Sequence, residues 1–496
     1  MQTSTPVLLL TPLLLGLAPI GHLAAQCSLG WTGLGSGIDN AVFAVAALPN
    51  GDVVAAGGIA MAGGVPVNNI ARWNGSAWSA LGIGVNGGFV FALCAEPNGN
   101  LLVGGSFANA GGVLVNRVAR WNGSTWSALG TGLGGHASAI VRLANGDLVV
   151  GGGFPTAGGA PASNIARWNG STWSALGSGL DGQVHALATL PNGDVVAGGS
   201  FLNAGGSPAV GIARWNGTSW SSLGSGVNGY VTALATLANG DVVAGGYFTS
   251  AGGVPASYVA RWNGAGWSSL GNGVNSLVNA LATLPNGDLV VGGYFNAASG
   301  VPAERIARWN GTAWSALGAG FNNPVNSLAT PPNGLLVAGG SFATSGSTQI
   351  DRVAQVTTSC PASAASVGAG CAGSGGANSY AAVGLPWIGT TFRGRGTGLP
   401  LQAFVAVVTG LAATSVPLAS LLPPSPPGCT LRATPDLVDV TLSSGGTADT
   451  ALVVPNSVAL VGVALFQQLV LLEFDASLAI VENTSSNSLA LVIGAL

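Results

Sequence analysis

Short apolar runs alternate with turns rich in Asn and Gly along most of the chain. In residues 164–206, the runs VHALATL and DVVAGG flank Pro191-Asn192-Gly193, and the runs NIARW and TWSALG flank Asn169-Gly170. Asn-Gly between two β-like runs is a strong signal of a tight hairpin. The pattern predicts four strands, with VHALATL and DVVAGG as strands A and B, and NIARW and TWSALG as strands C and D. No window places apolar residues at helical spacing.

This four-strand pattern recurs at a nearly constant spacing. The Arg-Trp pair returns in steps of 48, 47, 47, 47 and 47 residues, at Arg72, Arg120, Arg167, Arg214, Arg261 and Arg308. The Trp that opens strand D occurs seven times, at Trp31, Trp78, Trp126, Trp173, Trp220, Trp267 and Trp314. Four short strands in each unit of this length are typical of β-propeller blades. The sequence therefore predicts an all-β chain with a seven-bladed β-propeller over residues 27–360.

The two ends of the repeated region predict how the ring closes. The chain enters at Trp31 with a lone D strand, WTGLGSG, and leaves after strands A, B and C of the last unit. We expect the N-terminal strand to fill the empty D position, so that no sheet edge stays open. In that last unit, Gln355 and Val356 stand where the other units have Arg and Trp.

Residues 1–25 have the features of a secretory signal peptide. An apolar run, VLLLTPLLLGLAPIG, precedes small residues that end before Gln26, although the preceding segment contains no Lys or Arg. The alternative of a membrane anchor is disfavoured because the run is short and contains Pro and Gly. We expect a secreted or cell-surface protein with no integral membrane segment after cleavage.

The five cysteines are interpreted in that oxidising context. Cys27 precedes the first strand and Cys360 follows the last C strand, so a Cys27–Cys360 disulfide would replace the missing C–D turn. Cys371 and Cys429 are predicted to form a second bridge. Cys94 lies inside a strand A, where a buried, inert thiol is expected.

The repeat stops after Cys360. Residues 361–379 are small and without periodicity, which predicts a linker or an irregular entry. Residues 380–496 alternate β-like runs with Pro-, Gly- and Ser-rich stretches, a pattern typical of an antiparallel β-sandwich. The apolar run 458–474 is long enough for a membrane helix, but Gln467 and Gln468 interrupt it, so it is interpreted as two buried strands.

The blade pattern resembles kelch-type propeller repeats and the Gly-rich repeats of exported bacterial propellers. Its features are a Gly-Gly doublet that ends strand B, then Arg-Trp, then a second Trp five residues later. The resemblance implies a fold but no activity, because such repeats occur in enzymes, adhesins and scaffolds. A kelch-like copper oxidase would need Tyr, His and Cys ligands, and this chain, with 5 Tyr and 3 His, offers no such set.

The charged residues argue against several functional classes. The chain has 13 basic residues, all Arg, against 16 acidic residues, which leaves no basic face for nucleic acid. No metal-ligand spacing, nucleophile elbow or phosphate loop occurs, so we predict no catalytic residues and no cofactor. The Asp that follows Asn-Gly in most units is interpreted as stabilising the turn. The Arg of each Arg-Trp pair is expected to lie against neighbouring Trp faces.

The loop from strand D to the next strand A has a polar residue at one place in six of seven units, and Gly134 in the other. These residues are Asp39, Asn86, Asp181, Asn228, Asn275 and Asn322. One interpretation is an Asx turn at each strand start, which needs only a local backbone amide. The other is a polar ring at the channel mouth that holds a hydrated cation such as calcium, or the hydroxyls of a sugar.

Two classes of function follow. The first is an exported, non-enzymatic binding, adhesion or surface-scaffold protein, with a protein or glycan partner at the propeller face. The second is an exported carbohydrate-active enzyme, a glycan hydrolase or lyase, or a propeller lectin. Two carboxylates sharing one cleft would favour the enzyme.

Overall fold

The computed structural model divides the chain into two compact units, each described by itself. The first unit is described over residues 28–332 and 334–359. The second is described over residues 365–367, 372–373, 376–382, 391–400, 403–421, 425, 429–444, 446–453, 464–474 and 480–492. The predicted signal peptide, Cys27, Cys360 and Cys371 lie outside the described residues.

The first unit consists of seven four-stranded antiparallel sheets, each in the order A-B-C-D. The A strands are Val42–Ala47, Val90–Ala95, His136–Arg142, Gln183–Thr189, Tyr230–Thr236, Val278–Thr283 and Val325–Ala329. The B strands are Val53–Gly57, Leu101–Gly105, Leu148–Gly153, Val195–Ser200, Val242–Tyr247, Leu289–Gly293 and Val337–Gly340. The C strands are Ile70–Trp73, Val118–Trp121, Ile165–Trp168, Ile212–Trp215, Val259–Trp262, Ile306–Trp309 and Val353–Ser359. The D strands of blades 1–6 are Trp78–Ala80, Trp126–Ala128, Trp173–Ala175, Trp220–Ser222, Trp267–Ser269 and Trp314–Ala316.

The ring closes with strands from both ends of the repeated region. Strand Ser28–Gly33 pairs antiparallel with Val353–Ser359 and becomes strand D of blade 7. Each A strand also contacts the A strand of the next blade, and the seventh contacts the first. The predicted all-β propeller is therefore confirmed, and its last blade is a complete four-stranded sheet.

An indole hydrogen bond joins each blade to its neighbour. The Trp that opens strand D donates Nε1–H to a Leu carbonyl in the D-strand segment of the preceding blade, at 2.7–3.0 Å. The pairs are Trp31–Leu317, Trp78–Leu34, Trp126–Leu81, Trp173–Leu129, Trp220–Leu176, Trp267–Leu223 and Trp314–Leu270. Trp31 and Trp78 make these bonds on either side of the closing blade, so the outer ring of bonds is continuous.

The two Trp residues of a blade also contact each other. In blades 1–6, the C-strand and D-strand indoles lie 5.2–5.5 Å apart with their planes tilted. In blade 7, Val356 replaces the C-strand Trp, and Phe321 packs against Trp31 at 4.7 Å instead. An aromatic ring from an adjoining loop therefore makes the contact with the D-strand Trp that the C-strand Trp makes in the other blades.

Ion pairs, rather than the predicted contacts with Trp faces, hold the repeated arginines. In five blades the Arg pairs with the Asp that follows Asn-Gly: Arg72–Asp52, Arg167–Asp147, Arg214–Asp194, Arg261–Asp241 and Arg308–Asp288. The preceding Asn donates to the same carboxylate, as Asn192 does to Asp194 at 2.9 Å. The Asp stabilises its turn as predicted, and it also joins strand C to the A–B hairpin.

Two blades depart from this pattern. In blade 2, Asn100 replaces the Asp, and the buried Glu96 pairs with Arg120 at 3.1 Å and lies 3.8 Å from Arg142 of blade 3. In blade 7, Leu335 and Gln355 replace the Asp and the Arg together. Blade 2 keeps the Arg and supplies its carboxylate from another position, whereas blade 7 loses both partners, so the repeats themselves indicate that the carboxylate and the guanidinium act as a pair.

Each Gly-rich loop between strands B and C contains a small hairpin made of two strands of two residues each, which the sequence pattern did not predict. The hairpins pair Met61–Ala62 with Val65–Pro66, Asn109–Ala110 with Val113–Leu114, Thr156–Ala157 with Ala160–Pro161, Asn203–Ala204 with Ser207–Pro208, Ser250–Ala251 with Val254–Pro255, Ala297–Ala298 with Val301–Pro302, and Thr344–Ser345 with Thr348–Gln349. In blade 2, Val85–Asn86 adds a third strand. Gly at the turn is required where φ is positive and a Trp lies close: a Cβ on Gly111 would stand 2.4 Å from the ring of Trp126.

The second unit contains two main antiparallel sheets. One has five strands in the order Ala365–Val367, Ile480–Val492, Ala464–Phe474, Phe404–Gly410 and Leu437–Leu442. The other has three, Ser379–Ala382, Thr391–Thr397 and Thr447–Val453. Smaller elements are the pairs Ala372–Gly373 with Gly376–Ala377 and Ala413–Pro417 with Thr430–Ala433, and a 3₁₀ turn, Leu418–Ser420. One apolar cluster joins Tyr380 and Phe392 of the three-stranded sheet to Val405 and Leu469 of the five-stranded sheet.

Two sequence expectations change in this unit. Residues 365–367 pair with strand Ile480–Val492, so part of the predicted linker belongs to the sheet. Gln467 and Gln468 lie within one strand, Ala464–Phe474, where both are buried and hydrogen-bonded, Gln467 to Thr409 Oγ1 at 3.0 Å. No described helix is long and apolar enough to cross a membrane.

We predict that the indole hydrogen bonds stabilise the ring measurably. Trp126 and its register partner Trp121 are similarly buried, but only Trp126 donates to a neighbouring blade. Trp126→Phe leaves the Leu81 carbonyl without its donor, so it should lower the free energy of unfolding by about 1–2 kcal/mol more than Trp121→Phe. Guanidinium unfolding followed by tryptophan fluorescence measures the difference, and equal losses would show that ring size alone matters.

A second prediction concerns the exchanged ion pair of blade 2. Glu96→Leu should destabilise the propeller by about 1–3 kcal/mol because it leaves Arg120 and Arg142 without their carboxylate. Adding Asn100→Asp restores the arrangement of five other blades and should recover most of that loss. The same Asn100→Asp change in the wild-type chain supplies the control, since there it crowds two carboxylates near Arg120. A double variant no more stable than Glu96→Leu would contradict the pairing.

The predicted clasp remains open to a direct chemical test. Ser28 and Ser359 are register partners, which brings the two ends of the propeller side by side. Peptide mapping under non-reducing conditions should therefore recover Cys27 joined to Cys360. Recovery of Cys27 as a free thiol, or joined to Cys94, would remove the covalent part of the closure.

Candidate functional site

Every A–B ladder has a β-bulge at the same place. One A-strand residue is skipped in the pairing with strand B in each blade. The skipped residues are Phe43, Phe91, Ser138, His185, Thr232, Asn279 and Asn326, which we call the bulge ring. Gly permits the bulge, because a Cβ on Gly199 would stand 2.0 Å from the Gln183 carbonyl oxygen. Bulges often redirect a side chain at the rim of a barrel or near a site.

Several members of the bulge ring bind the next blade. Asn279 Nδ2 donates to the Val325 carbonyl at 3.4 Å, and Thr232 donates to the Val278 carbonyl. Asn326 Nδ2 donates to the Val42 carbonyl at 3.0 Å and so crosses from blade 7 to blade 1. The A strands are innermost in a propeller, so these bonds form an inner counterpart to the outer Trp bonds.

Two further positions lie beside each bulge. One position lies two residues before the bulge residue in strand A, and the other directly follows the Gly residues that end strand B. In blades 4 and 5 these two positions are register partners, Gln183 with Ser200 and Tyr230 with Tyr247. With the bulge ring they form what we call the mouth. The residues before the bulge are Ala41, Phe89, His136, Gln183, Tyr230, Leu277 and Pro324, and those after strand B are Gly58, Ser106, Gly153, Ser200, Tyr247, Tyr294 and Ser341.

Aromatic rings follow the mouth through blades 1–3. Phe43 contacts Phe89 with ring centroids 6.2 Å apart and Phe91 at 5.9 Å. Phe91 contacts His136 edge-on at 6.2 Å. Phe89 is 50% exposed, although Phe43 lies against it on one side. This half of the mouth offers an aromatic surface whose ring orientations are fixed by neighbouring rings.

A second group of rings continues through blades 4 and 5. His185 lies 6.3 Å from Tyr230, which stacks on Tyr247 at 5.6 Å with an interplanar angle of 22°. Tyr247 then contacts Tyr258 edge-on at 5.9 Å. Tyr247 is 54% exposed, and Tyr294 of blade 6 is 48% exposed. We call the rings of blades 1–6 the aromatic arc; they are Phe43, Phe89, Phe91, His136, His185, Tyr230, Tyr247, Tyr258 and Tyr294. Blade 7 completes the mouth with Asn326 and Ser341.

The mouth contains no Asp, Glu, Lys or Arg at any of its three positions. Burial lowers the pKa of His185 below its usual value, and the nearby His136 lowers it further. The His185 imidazole is therefore neutral at pH 7, and its Nε2 lies 3.2 Å from Ser200 Oγ. The three mouth positions accordingly present aromatic rings, amides and hydroxyls and no ionic side chain.

Charged side chains lie at the start of strand C, and one of them reaches the mouth. Arg117, Arg305 and Arg352 precede strand C with φ values of 77°, 66° and 72°, where Gly or Asn is usual. Strand C lies two strands from the axis, about 10 Å outward. Arg305 Nη1 donates to the carbonyl of the mouth residue Tyr294 and lies 3.4 Å from the Phe295 carbonyl oxygen, and Arg352 Nη1 donates to the Phe342 carbonyl at 3.3 Å. Two of these guanidiniums therefore contact their own blades.

The polar residues predicted to ring the channel are exposed, and most hold two loops together. In Asn228, Asn275 and Asn322, Oδ1 accepts from backbone amides 21 and 22 residues later, in the B–C loop, at 2.8–3.1 Å. The local Asx turn expected at these positions is therefore replaced by a bond between loops. Asp39 accepts one such bond, from Ala60, whereas Asn86 lies in a short strand beside Asn109.

Asp181 shows what these bonds do electrostatically. Partial burial acts to raise its pKa, but the Asn203 amide and side chain and the Leu202 amide outweigh this and lower it. In blade 3, Gly134 has no side chain, and a Cβ there would stand 2.3 Å from Thr156 Oγ1. Within the described residues, no group of three or more His, Cys, Asp or Glu side chains is arranged to hold a metal ion.

Two other features lie away from the mouth. A cleft of about 280 Å³ between blades 1 and 2 is lined by their A–B turns, including Pro49 and Pro97, at the opposite end of the strands. Arg72, the charged residue that lines this cleft, pairs with Asp52. Cys94 is a free, half-buried thiol whose pKa burial, together with Glu96, raises to about 11, so it is protonated at neutral pH.

The sequence analysis missed the mouth, although the repeats contain a signal for it. Neighbouring positions keep Val, Ala, Leu or Gly in nearly every unit, whereas the three mouth positions differ from unit to unit. Residues that only maintain a blade are expected to repeat with it. The positions that diverge therefore mark the surface that the fold does not determine.

Comparison with known proteins supports the fold. A family model described as "Domain of unknown function (DUF5122) beta-propeller" matches residues 96–123 and 237–266, each stretch shorter than one repeat. No curated protein matches this chain. These two segments of the propeller are thus similar to a family known by its fold and not by its activity.

Similarity to solved structures is distant. The WD40 β-propeller domain of Doa1 is 15% identical, with a TM-score of 0.45, covering 67% of this chain and 98% of that chain. The extracellular domain of a putative hybrid two component system, BT4673 from B. thetaiotaomicron, is 12% identical, with a TM-score of 0.43, covering 95% of this chain and 59% of that chain. At these values the likenesses leave the function of this chain open.

Proposed function

We propose that this chain is an exported, non-enzymatic binding protein that captures a ligand at the mouth of its propeller. The observation that supports this most directly is the composition of the mouth. The positions that differ between repeats gather there, and they are aromatic or neutral polar residues. A group of half-exposed aromatic rings on a protein surface is typical of an interaction site.

The chemistry of the mouth favours binding over catalysis. Glycoside hydrolysis generally uses two carboxylates about 5–10 Å apart. The bulge ring and its flanking positions supply none, and the acidic residues of the D–A loops, Asp39 and Asp181, accept hydrogen bonds from loop amides. The repeated Trp residues, which a lectin could use for stacking, instead donate their Nε1–H between blades.

The other parts of the chain complete the proposal. Residues 1–25 direct export to the cell surface or the medium, and kelch-like repeats form the display platform. The C-terminal unit, as a β-sandwich, provides attachment or sorting. Calcium has no part in this proposal, because most oxygens of the predicted polar ring accept bonds from the loops.

The proposal predicts retention of a ligand without conversion. The secreted protein should retain members of glycan or peptide arrays, and Tyr247→Ala together with Phe89→Ala should sharply reduce retention by removing two of the three half-exposed rings of the mouth. Leu114→Ala is the matched control, because Leu114 is 63% exposed but lies in an outer B–C hairpin. Mass spectrometry should recover the ligand unchanged. Recovery of cleaved products, or equal retention by the double variant, would overturn the proposal.

A further inference from the structure

We propose that the ligand of the mouth is an uncharged carbohydrate chain several sugar units long, bound by stacking on the aromatic arc; this inference rests on the function proposed above. Sugar rings present an apolar C–H face for stacking and hydroxyl edges for hydrogen bonds. A matching site needs exposed aromatic faces with amides and hydroxyls beside them.

The exposed rings are held in place before a ligand arrives. Tyr247 stacks on Tyr230, and Phe89 contacts Phe43 and lies over Gly58, where an added Cβ would stand 3.0 Å from the Phe89 ring. A ring already fixed on one face loses little freedom when a ligand covers the other. The arc therefore provides preorganised stacking surfaces rather than mobile side chains.

Neutral polar groups adjoin the second stacking surface. Gln183 and Ser200 are register partners in blade 4, next to Tyr230 and Tyr247 of blade 5. The imidazole of His185, which is neutral at pH 7, contacts both Ser200 of blade 4 and Tyr230 of blade 5. These groups both donate and accept hydrogen bonds, as sugar hydroxyls require. None of the three mouth positions holds a charged residue, and the adjoining Arg305 guanidinium is hydrogen-bonded to the Tyr294 and Phe295 carbonyls, which disfavours uronic acids, sialic acids and phosphates as ligands.

The inner edge of the blades disfavours a peptide. A peptide could bind by adding a strand to an open edge of strand A. Along that edge, however, side chains of adjoining blades already occupy backbone groups: Asn326 binds the Val42 carbonyl, and Ser327 Oγ accepts from the Val45 amide at 3.0 Å. A ligand that uses its own ring faces and hydroxyls does not need those groups.

The spread of the arc favours a chain over a single sugar. Phe89 lies in blade 2, Tyr247 in blade 5 and Tyr294 in blade 6, so the exposed rings are on different sides of the mouth. One sugar ring covers one such surface. Linked sugars can occupy separate surfaces in one binding event, which raises the overall affinity with chain length.

The test uses the full secreted chain and isothermal titration with neutral gluco-, manno- and xylo-oligosaccharides of one to six units. At least one series should bind with an affinity that rises with length. Tyr247→Ala should weaken binding of the longest member about tenfold, while Tyr247→Phe keeps the stacking face and most of the affinity. Leu114→Ala should leave the affinity unchanged, and unchanged thermal unfolding of all variants shows that they fold.

The outcomes separate the two proposals. Preference for oligogalacturonate over every neutral series, or affinity independent of length, overturns the carbohydrate-chain inference. Peptides retained through the mouth, with no glycan bound, overturn the inference but leave the proposed binding function intact. If neither glycans nor peptides are retained in a way that depends on Tyr247 and Phe89, both proposals fail.

Discussion

The structure depends on the hydrogen bond from each D-strand indole to the Leu carbonyl of the preceding blade. Taken alone, such a bond contributes about 1 kcal/mol. Seven of them follow one another around the ring, and the bonds of Trp31 and Trp78 include the blade formed by both chain ends. Each blade has an apolar surface on both faces of its sheet, and the two neighbouring blades cover it. The stability of a blade therefore depends on its neighbours and on closure of the ring.

An inner ring of contacts complements the outer one. Thr232, Asn279 and Asn326 donate from a β-bulge to the next A strand. Only part of the bulge ring is used in this way. Phe43, Phe91 and His185 occupy the same position and contact other rings instead. The outer bonds therefore keep the blades together, and the inner position is free to diverge in blades that do not need it for closure.

The charged residues also separate structural positions from the mouth. The arginines of the repeat pair with carboxylates at the A–B hairpins, at the end of the strands opposite the mouth. Blade 2 preserves that pair by exchanging Asp for Glu96, and blade 7 loses both partners together. The mouth itself has no ionic side chain. A propeller with few charges thus places most of them in structural pairs and leaves the three mouth positions aromatic or neutral.

The sequence by itself determined the number of strands per unit, the period, the seven blades and the closure by the N-terminal strand. Asn-Gly hairpins and Trp spacing are local signals that hardly depend on the rest of the chain. It did not determine which Arg pairs with which carboxylate, where the loop Asx side chains bind, or that residues 365–367 join a sheet, because those contacts bring together residues distant in sequence. The mouth was likewise decided by tertiary structure, since only the closed ring gathers one bulge from each of seven blades.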